Sequence, residues 1–300
     1  MMKHEFYYTS RDSVTKIHAI EWIPDREIKG VLQICHGMVE YIDRYDDFAK
    51  FMCGHGYYVV GHDHLGHGKS IQTEADLGYF DERKGNQYVI GDIYRLQEMT
   101  KKKYPDVPYF MLGHSMGSFL LRQYLTMYAG GLSGAVIMGT GYQGALTLSA
   151  GRIVCRIIAA FKGWKYRSTF VDNLSFGGFN KKFEPGETSK EWITSDKKKR
   201  DEYVQDPLCS YTFTLGAYYQ MFTGMKVLVQ KESMERIPKT LPVLFTAGAD
   251  DPVGAFGKNV TRVYEKYKNA GIKDVSIHLY EGDRHEILNE VDRQNVYQDI

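Results

Sequence analysis

The sequence predicts an α/β fold with a mostly parallel central sheet, helices on both faces of that sheet, and a helical cap inserted after the sixth strand. First, short apolar runs typical of buried strands alternate with longer segments whose apolar residues recur at helical spacing. Second, this alternation is interrupted once, between the apolar runs at 134–139 and 241–247. A connection between neighbouring parallel strands needs far fewer residues, so the interruption must hold structure of its own. We therefore expect a core formed by 1–143 and 239–300, and a cap formed by 144–238.

Eight apolar runs are predicted to be strands, and the first two should form an antiparallel hairpin at an edge of the sheet. Helices are predicted between the later strands wherever apolar residues recur at helical spacing, as they do over 85–104. A last helix is expected to begin near Ile287 and to continue to Ile300. The predicted strands are 4–10, 16–23, 31–35, 57–60, 109–112, 134–139, 241–247 and 275–280.

Composition and charge narrow the class of partner. The formal net charge of +1 gives no reason to expect a nucleic acid as partner. The N-terminus has no apolar secretory segment, and no apolar run is long enough to span a membrane, so we expect a cytoplasmic protein. The widely spaced Cys35, Cys53, Cys155 and Cys209 fit reduced thiols better than disulfides or a zinc site. We expect no metal and no cofactor, because the histidines of the glycine-rich loop at 61–70 match no ligand spacing.

A Gly-x-Ser-x-Gly motif, Gly113-His114-Ser115-Met116-Gly117, lies between a predicted strand and a predicted helix. In this context the serine occupies a strained turn, and its neighbours two positions away must be small to avoid the adjacent strand and helix. The serine oxygen then stands clear of the sheet at a helix N-terminus, where backbone N–H groups can receive a developing negative charge. The motif therefore predicts a nucleophile at Ser115.

Three other loops follow predicted strands, at the sheet edge where parallel sheets bind their ligands. These loops contain Gly37-Met38, Asp250-Asp251 and His285. Together with the serine motif they place a serine, an aspartate and a histidine in the chain order found in α/β-hydrolases. The combination predicts nucleophilic catalysis by a serine and a histidine base.

These motifs are similar to those of α/β-hydrolases of the monoacylglycerol lipase, lysophospholipase and serine aminopeptidase S33-like group. The resemblance implies that Ser115 is the nucleophile, Asp251 the triad acid and His285 the base. Asp250 is the rival acid. The family spacing Gly-x-x-Asp, counted from Gly248, favours Asp251 instead. The resemblance rests on the motifs at 36–40 with 44–45, 63–70, 113–117, 251–253 and 285–290.

The chemistry of the site assigns two further roles. The oxyanion formed during acyl transfer needs N–H donors, and the best candidates are the backbone groups of Met116, directly after the nucleophile, and of Met38. Rival bases are histidines in loops or beside the nucleophile, none of which follows the last strand. They are His62, His64, His67 and His114.

The first part of the insertion, 145–167, is apolar and its charged residues are all cationic. Two interpretations remain open and are compatible: a helical lid over the site, and a segment that transiently contacts a membrane surface. Two later segments, 191–204 and 212–229, are also predicted to be helical. An apolar lid favours an acyl ester as the small-molecule substrate.

The leading hypothesis is hydrolysis of carboxylic esters such as monoacylglycerols or lysophospholipids through an acyl-enzyme. One alternative is an amidase or aminopeptidase of the same group, which needs an acidic residue in the cap to hold the substrate amine. Asp172, Glu184 and Glu187 are available, but nothing in the sequence places them. The second alternative is a receptor that binds a ligand in this fold without turnover, against which the complete triad argues.

Overall fold

The central element is one sheet of eight strands, and the computed structural model describes all 300 residues of the chain. Each strand coincides with one of the eight predicted apolar runs, with ends that differ by a few residues. The strands are β1 (Met2–Thr9), β2 (Lys16–Ile23), β3 (Gly30–Cys35), β4 (Tyr57–His62), β5 (Tyr109–His114), β6 (Gly134–Met138), β7 (Val243–Gly248) and β8 (Val275–Tyr280).

The strand order across the sheet is β1-β2-β4-β3-β5-β6-β7-β8. The strands from β3 to β8 are parallel to their neighbours. β2 pairs antiparallel with both β1 and β4, so the β1–β2 hairpin lies at the sheet edge. The predicted α/β fold with a mostly parallel sheet is confirmed. Because the parallel strands end at the same edge, the loops after β3, β5, β7 and β8 meet there.

Helices cover both faces of the sheet, as predicted. The ten helices are α1 (Asp46–Gly54), α2 (Gly85–Lys103), α3 (Met116–Tyr128), α4 (Ala145–Lys162), α5 (Thr169–Phe176), α6 (Lys197–Gln205), α7 (Leu215–Val227), α8 (Lys231–Glu235), α9 (Lys258–Asn269) and α10 (Arg293–Asp299). On one face, Phe48 of α1 and Tyr297 of α10 pack in one apolar core. On the other face, α2, α3 and α9 pack in a larger core. No helix is both long enough and apolar enough to cross a bilayer.

The insertion between β6 and β7 contains helices α4 to α8. Helix α7 packs against α2 and α3, and α4 packs in turn on α7. Thus α7 attaches the insertion to the core, whereas α4 lies in an outer layer.

Two helices of the insertion, α4 and α6, are shorter than the sequence pattern suggested. Helix α4 stops at Lys162, because Gly163 adopts a φ of 83° and ends the helix. Helix α6 begins only at Lys197, where the side chain of Asp196 accepts hydrogen bonds from the first turn. The preceding residues 191–195 form an irregular strap-like segment.

The last predicted helix is wrong as a continuous element. The structure has one turn of 3-10 helix at Ile287–Asn289, followed by the separate helix α10. Between them Glu290 is extended, with ψ of 169°. Its carboxylate accepts hydrogen bonds from Arg284 N and Ser195 N, and these contacts compete with continuation of the helix.

Candidate active site

The turn between β5 and α3 holds Ser115 in a strained backbone conformation, with φ of 53°. The glycines on either side are required by close contacts. A Cβ on Gly113 would lie 2.5 Å from the carbonyl oxygen of Gly117. A Cβ on Gly117 would lie 2.0 Å from the carbonyl oxygen of Cys35. The strand, the helix and β3 therefore approach closely enough to force the serine into this turn.

The three residues of the predicted triad are brought together by the fold. The Oγ of Ser115 lies 2.8 Å from Nε2 of His285. The Nδ1 of His285 lies 3.0 Å from Oδ2 of Asp251. Asp251 is fully buried and His285 is 4% exposed, so water screens their interaction little. The arrangement can hold the imidazole in the tautomer whose Nε2 accepts the serine proton.

Asp250 and Asp251 have different partners, although they are neighbours in sequence. The second carboxylate oxygen of Asp251 accepts a hydrogen bond from Val253 N at 2.8 Å. Asp250 is not hydrogen-bonded to His285 and forms an ion pair with Lys182 of the insertion. Only Asp251 is hydrogen-bonded to the histidine, as the family spacing implied.

None of the rival histidines is bonded to the serine. His64 Nε2 lies 3.1 Å from the carbonyl oxygen of His36, and His64 N donates to His36 Nε2 at 2.8 Å. Burial lowers the pKa of His62 and of His67 to about 3 each, so both are neutral. These side chains support the loop at the end of β4, next to the end of β3.

Two backbone N–H groups next to the serine are free. Neither Met38 N nor Met116 N donates a hydrogen bond to any acceptor in the chain. The loop of Gly37 and Met38 lies against the serine, since a Cβ on Gly37 would be 3.0 Å from Ser115 Cβ. The Gly37 N–H is itself held by the carboxylate of Glu40. The site can thus offer two N–H donors to an anion that forms near the serine.

Below the site lies a buried charge network whose role sequence reasoning missed. Glu40 bonds to Arg44 at 2.9 Å and to the Nδ1 of His114 at 3.1 Å. Burial would raise the pKa of Glu40, but His114 and Arg44 hold it well below the usual range. Burial would lower the pKa of His114, but the hydrogen bond and charge of Glu40 raise it above the ordinary value. Each group therefore favours the charged form of the other.

This network touches both catalytic loops. The Nε2 of His114 lies 3.2 Å from the backbone carbonyl oxygen of His285. Arg44 binds Glu286, which directly follows His285, through two hydrogen bonds of 2.7 Å each. The sequence motifs included Glu40, Arg44 and Glu286, but the sequence does not show that their side chains meet.

A narrow crevice between the core and the insertion is lined in part by Met116, the residue after the serine. Its walls are apolar side chains of α2, α3 and α7, together with Phe80. Its polar lining is an amide pair, in which Asn86 Nδ2 donates to Gln123 Oε1 at 2.9 Å. The crevice provides an apolar surface beside the serine.

Comparison with known proteins identifies the family of this chain. The family model described as serine aminopeptidase, S33, matches residues 26–292. The chain is 26% identical to the monoglyceride lipase of Mus musculus over 276 residues, which cover 90% of this chain and 80% of that protein. It is 25% identical to the monoacylglycerol lipase of Mycolicibacterium smegmatis over 282 residues, covering 93% and 89% of the two chains.

Among solved structures, a thermostable carboxyl esterase from Bacillus coagulans, in complex with glycerol, superimposes with a TM-score of 0.91 at 29% identity. The superposition covers 100% of this chain and 96% of that one. The resemblance indicated by the sequence motifs is confirmed, because the family model spans most of the chain. The chain belongs to the serine aminopeptidase S33 family of α/β-hydrolases.

Proposed function

We propose that this protein is a serine hydrolase that cleaves carboxylic esters through an acyl-enzyme formed on Ser115. The observation that supports this most directly is the continuous hydrogen-bond chain from Ser115 through His285 to Asp251. A serine hydroxyl is a weak nucleophile until an adjacent base accepts its proton. In this hydrogen-bond chain His285 is that base, and the buried carboxylate of Asp251 orients it.

In the acylation step, His285 Nε2 accepts the proton of Ser115 as the serine oxygen attacks the ester carbonyl carbon. The carbonyl oxygen becomes an anion, which the N–H groups of Met38 and Met116 stabilise. Asp251 stabilises the imidazolium. The imidazolium then donates its proton to the departing alcohol as the bond between carbonyl carbon and alcohol oxygen breaks. A water molecule repeats the sequence on the acyl-enzyme, releasing the acid and restoring the serine.

The proposed substrate class is a monoacylglycerol or a lysophospholipid-like ester, with residues 144–238 acting as the cap. The apolar crevice at Met116 supports an aliphatic acyl group. The relatives named monoglyceride lipase in mouse and monoacylglycerol lipase in Mycolicibacterium smegmatis support a small alcohol as the leaving group.

Two of the three carboxylates considered for an aminopeptidase have other partners, and the third, Glu184, is exposed. Asp172 accepts a hydrogen bond from Tyr218 at 2.5 Å. Glu187 is paired with Lys197 and Arg200. A substrate amine would have to compete with these contacts, so we favour ester substrates.

A panel of substrates tests the proposed class. We expect kcat/KM for medium-chain monoacylglycerols to exceed that for aminoacyl amides by at least about a hundredfold, because the site offers apolar contact and two of the three candidate carboxylates for an amine are already paired. The measurement is steady-state hydrolysis of monoacylglycerols of increasing chain length, a lysophospholipid and aminoacyl p-nitroanilides. Higher kcat/KM on the amides would reject the ester proposal in favour of a peptidase. Labelling by a fluorophosphonate with no turnover of any substrate would favour a receptor.

We further propose that the outer layer of the cap contacts an anionic membrane surface transiently. Leu146 and Phe161 of α4 are 88% and 84% exposed. Phe170 and Leu174 of α5 are exposed as well, and Lys162 supplies an exposed cation nearby. Exposed apolar side chains beside cations are typical of surfaces that lie at a lipid interface.

Replacement of Leu146 and Phe161 together by serine should weaken binding to anionic phospholipid vesicles by at least about tenfold, because insertion of two large apolar side chains is lost. Vesicle flotation measures the bound fraction. Hydrolysis of soluble p-nitrophenyl acetate is the control and should not change, since both residues lie on the outer surface. Equal flotation of the variant and the unaltered protein would exclude this contact.

A further inference from the structure

His285 has a neighbour in the insertion that the proposed reaction does not use. The backbone N–H of His285 donates to the carbonyl oxygen of Trp192 at 3.3 Å. The N–H of Glu286 donates to the carbonyl oxygen of Ile193 at 2.7 Å. We propose that residues 191–195, which we call the strap, position the base of the site, and that Trp192 is the residue through which the strap acts. This inference rests on the proposed function.

One buried carboxylate fixes the strap to the loop that contains the base. Glu290 is fully buried and accepts hydrogen bonds from both the N–H and the hydroxyl of Ser195 in the strap, the former at 2.9 Å. It also accepts from the N–H of Arg284 at 2.8 Å. Arg284 directly precedes His285. The strap and the histidine loop therefore share an anchor and are expected to move together.

The strap brings an aromatic ring to the base. The indole of Trp192 and the imidazole of His285 have centroids 5.2 Å apart with an angle of 42° between their planes. A second ring, His114, lies 4.8 Å from His285. These contacts restrict rotation of the imidazole, which keeps Nε2 directed at the serine.

The indole also acts on the charge that develops during the reaction. When His285 accepts the serine proton, a cation forms within about 6 Å of the indole centroid, the range of cation–π attraction. Phe179 packs against Trp192 at 5.2 Å and holds it from the insertion side. The cation of Lys190 lies 6.0 Å from the indole, at the limit of that range. Because attraction to His285 exists only while the imidazolium exists, it stabilises the transition state more than the ground state.

Two substitutions separate positioning from simple packing. Trp192→Leu keeps apolar volume without a π face, and Trp192→Phe keeps a smaller π face. We expect the leucine variant to lose about 3- to 30-fold in kcat on p-nitrophenyl acetate, with KM within about twofold, and the phenylalanine variant to recover most of kcat. The acetyl group is too small to report on the acyl crevice. Trp164→Leu is the matched control in the same insertion, where the indole contacts Tyr219 rather than His285, and should leave kcat unchanged.

Rates are normalised to active sites titrated with a fluorophosphonate, so partial unfolding does not imitate a loss of kcat. The rate constant of phosphonylation of Ser115 is a second readout, which needs the base but no turnover. It should fall in parallel with kcat in the leucine variant. An unchanged phosphonylation rate per titratable site, or a change in KM alone, would overturn the role of Trp192. Absence of ester hydrolysis in the unaltered protein would reject the proposed function, while phosphonylation would still test the positioning.

Discussion

The Ser115→Ala variant is expected to lose ester hydrolysis by at least about four orders of magnitude in kcat/KM, to the limit of detection. The substitution removes the oxygen that His285 activates, and no other hydroxyl is hydrogen-bonded to that imidazole. The N–H groups of Met38 and Met116 would remain and could still polarise a bound ester, which is why a small residual rate over water is expected. Alanine tolerates the left-handed turn no worse than serine, so folding should be preserved.

Hydrolysis of p-nitrophenyl acetate and of a monoacylglycerol measures this loss. The matched control is Ser149→Ala, because Ser149 is half-buried on α4 and its side chain bonds only to the carbonyl oxygen of Ala145. It should retain full activity. The Ser115→Ala variant should keep its thermal unfolding midpoint within a few degrees and should no longer react with a fluorophosphonate. Activity in that variant equal to the control would reject Ser115 as the nucleophile.

The core of this fold is predictable because its strands are buried on both faces. Such strands appear in the sequence as nearly continuous apolar runs, and the run at 241–247 was recognisable even after the long insertion. The Gly-x-Ser-x-Gly turn is predictable for a steric reason, since the spaces beside Gly113 and Gly117 exclude any Cβ. Strand order then brings the loops after β3, β5, β7 and β8 to one edge of the sheet.

The features of the fold and the site that the sequence did not predict depend on contacts between distant segments, which leave no local pattern in the sequence. Residues 191–195 belong to a segment predicted to be helical, but their conformation is set by hydrogen bonds to the loop around His285. For the same reason the sequence did not single out Trp192. The predicted last helix failed at Glu290, whose carboxylate is occupied by donors from the strap and from Arg284. A helix pattern cannot show that a residue is needed elsewhere.

The second large effect is expected from Asp251→Asn, which should lower kcat by about 10⁴-fold while leaving the fold intact. The Oδ1 of Asp251 accepts from Val253 N at 2.8 Å, and an asparagine would keep that bond through its carbonyl oxygen. Its amide nitrogen would then face the Nδ1 of His285, which is 3.0 Å away. Because an N–H group donates there, Nδ1 must accept, and the ring proton moves to Nε2. In that tautomer the nitrogen nearest Ser115 cannot accept the serine proton.

The matched control is Asp250→Asn, which removes a carboxylate from the same loop without removing the one bonded to His285. Asp250 pairs with Lys182 on the surface and has a side chain that is 32% exposed, so its loss should change kcat by no more than about twofold. Both variants exchange the same atoms at adjacent positions. Both should be measured on p-nitrophenyl acetate, and the rates should be normalised to the folded fraction determined from intrinsic fluorescence. A much larger loss in Asp250→Asn than in Asp251→Asn would reverse the assignment of the triad acid. Equal, small losses in both would mean that the carboxylate at His285 does not control its tautomer.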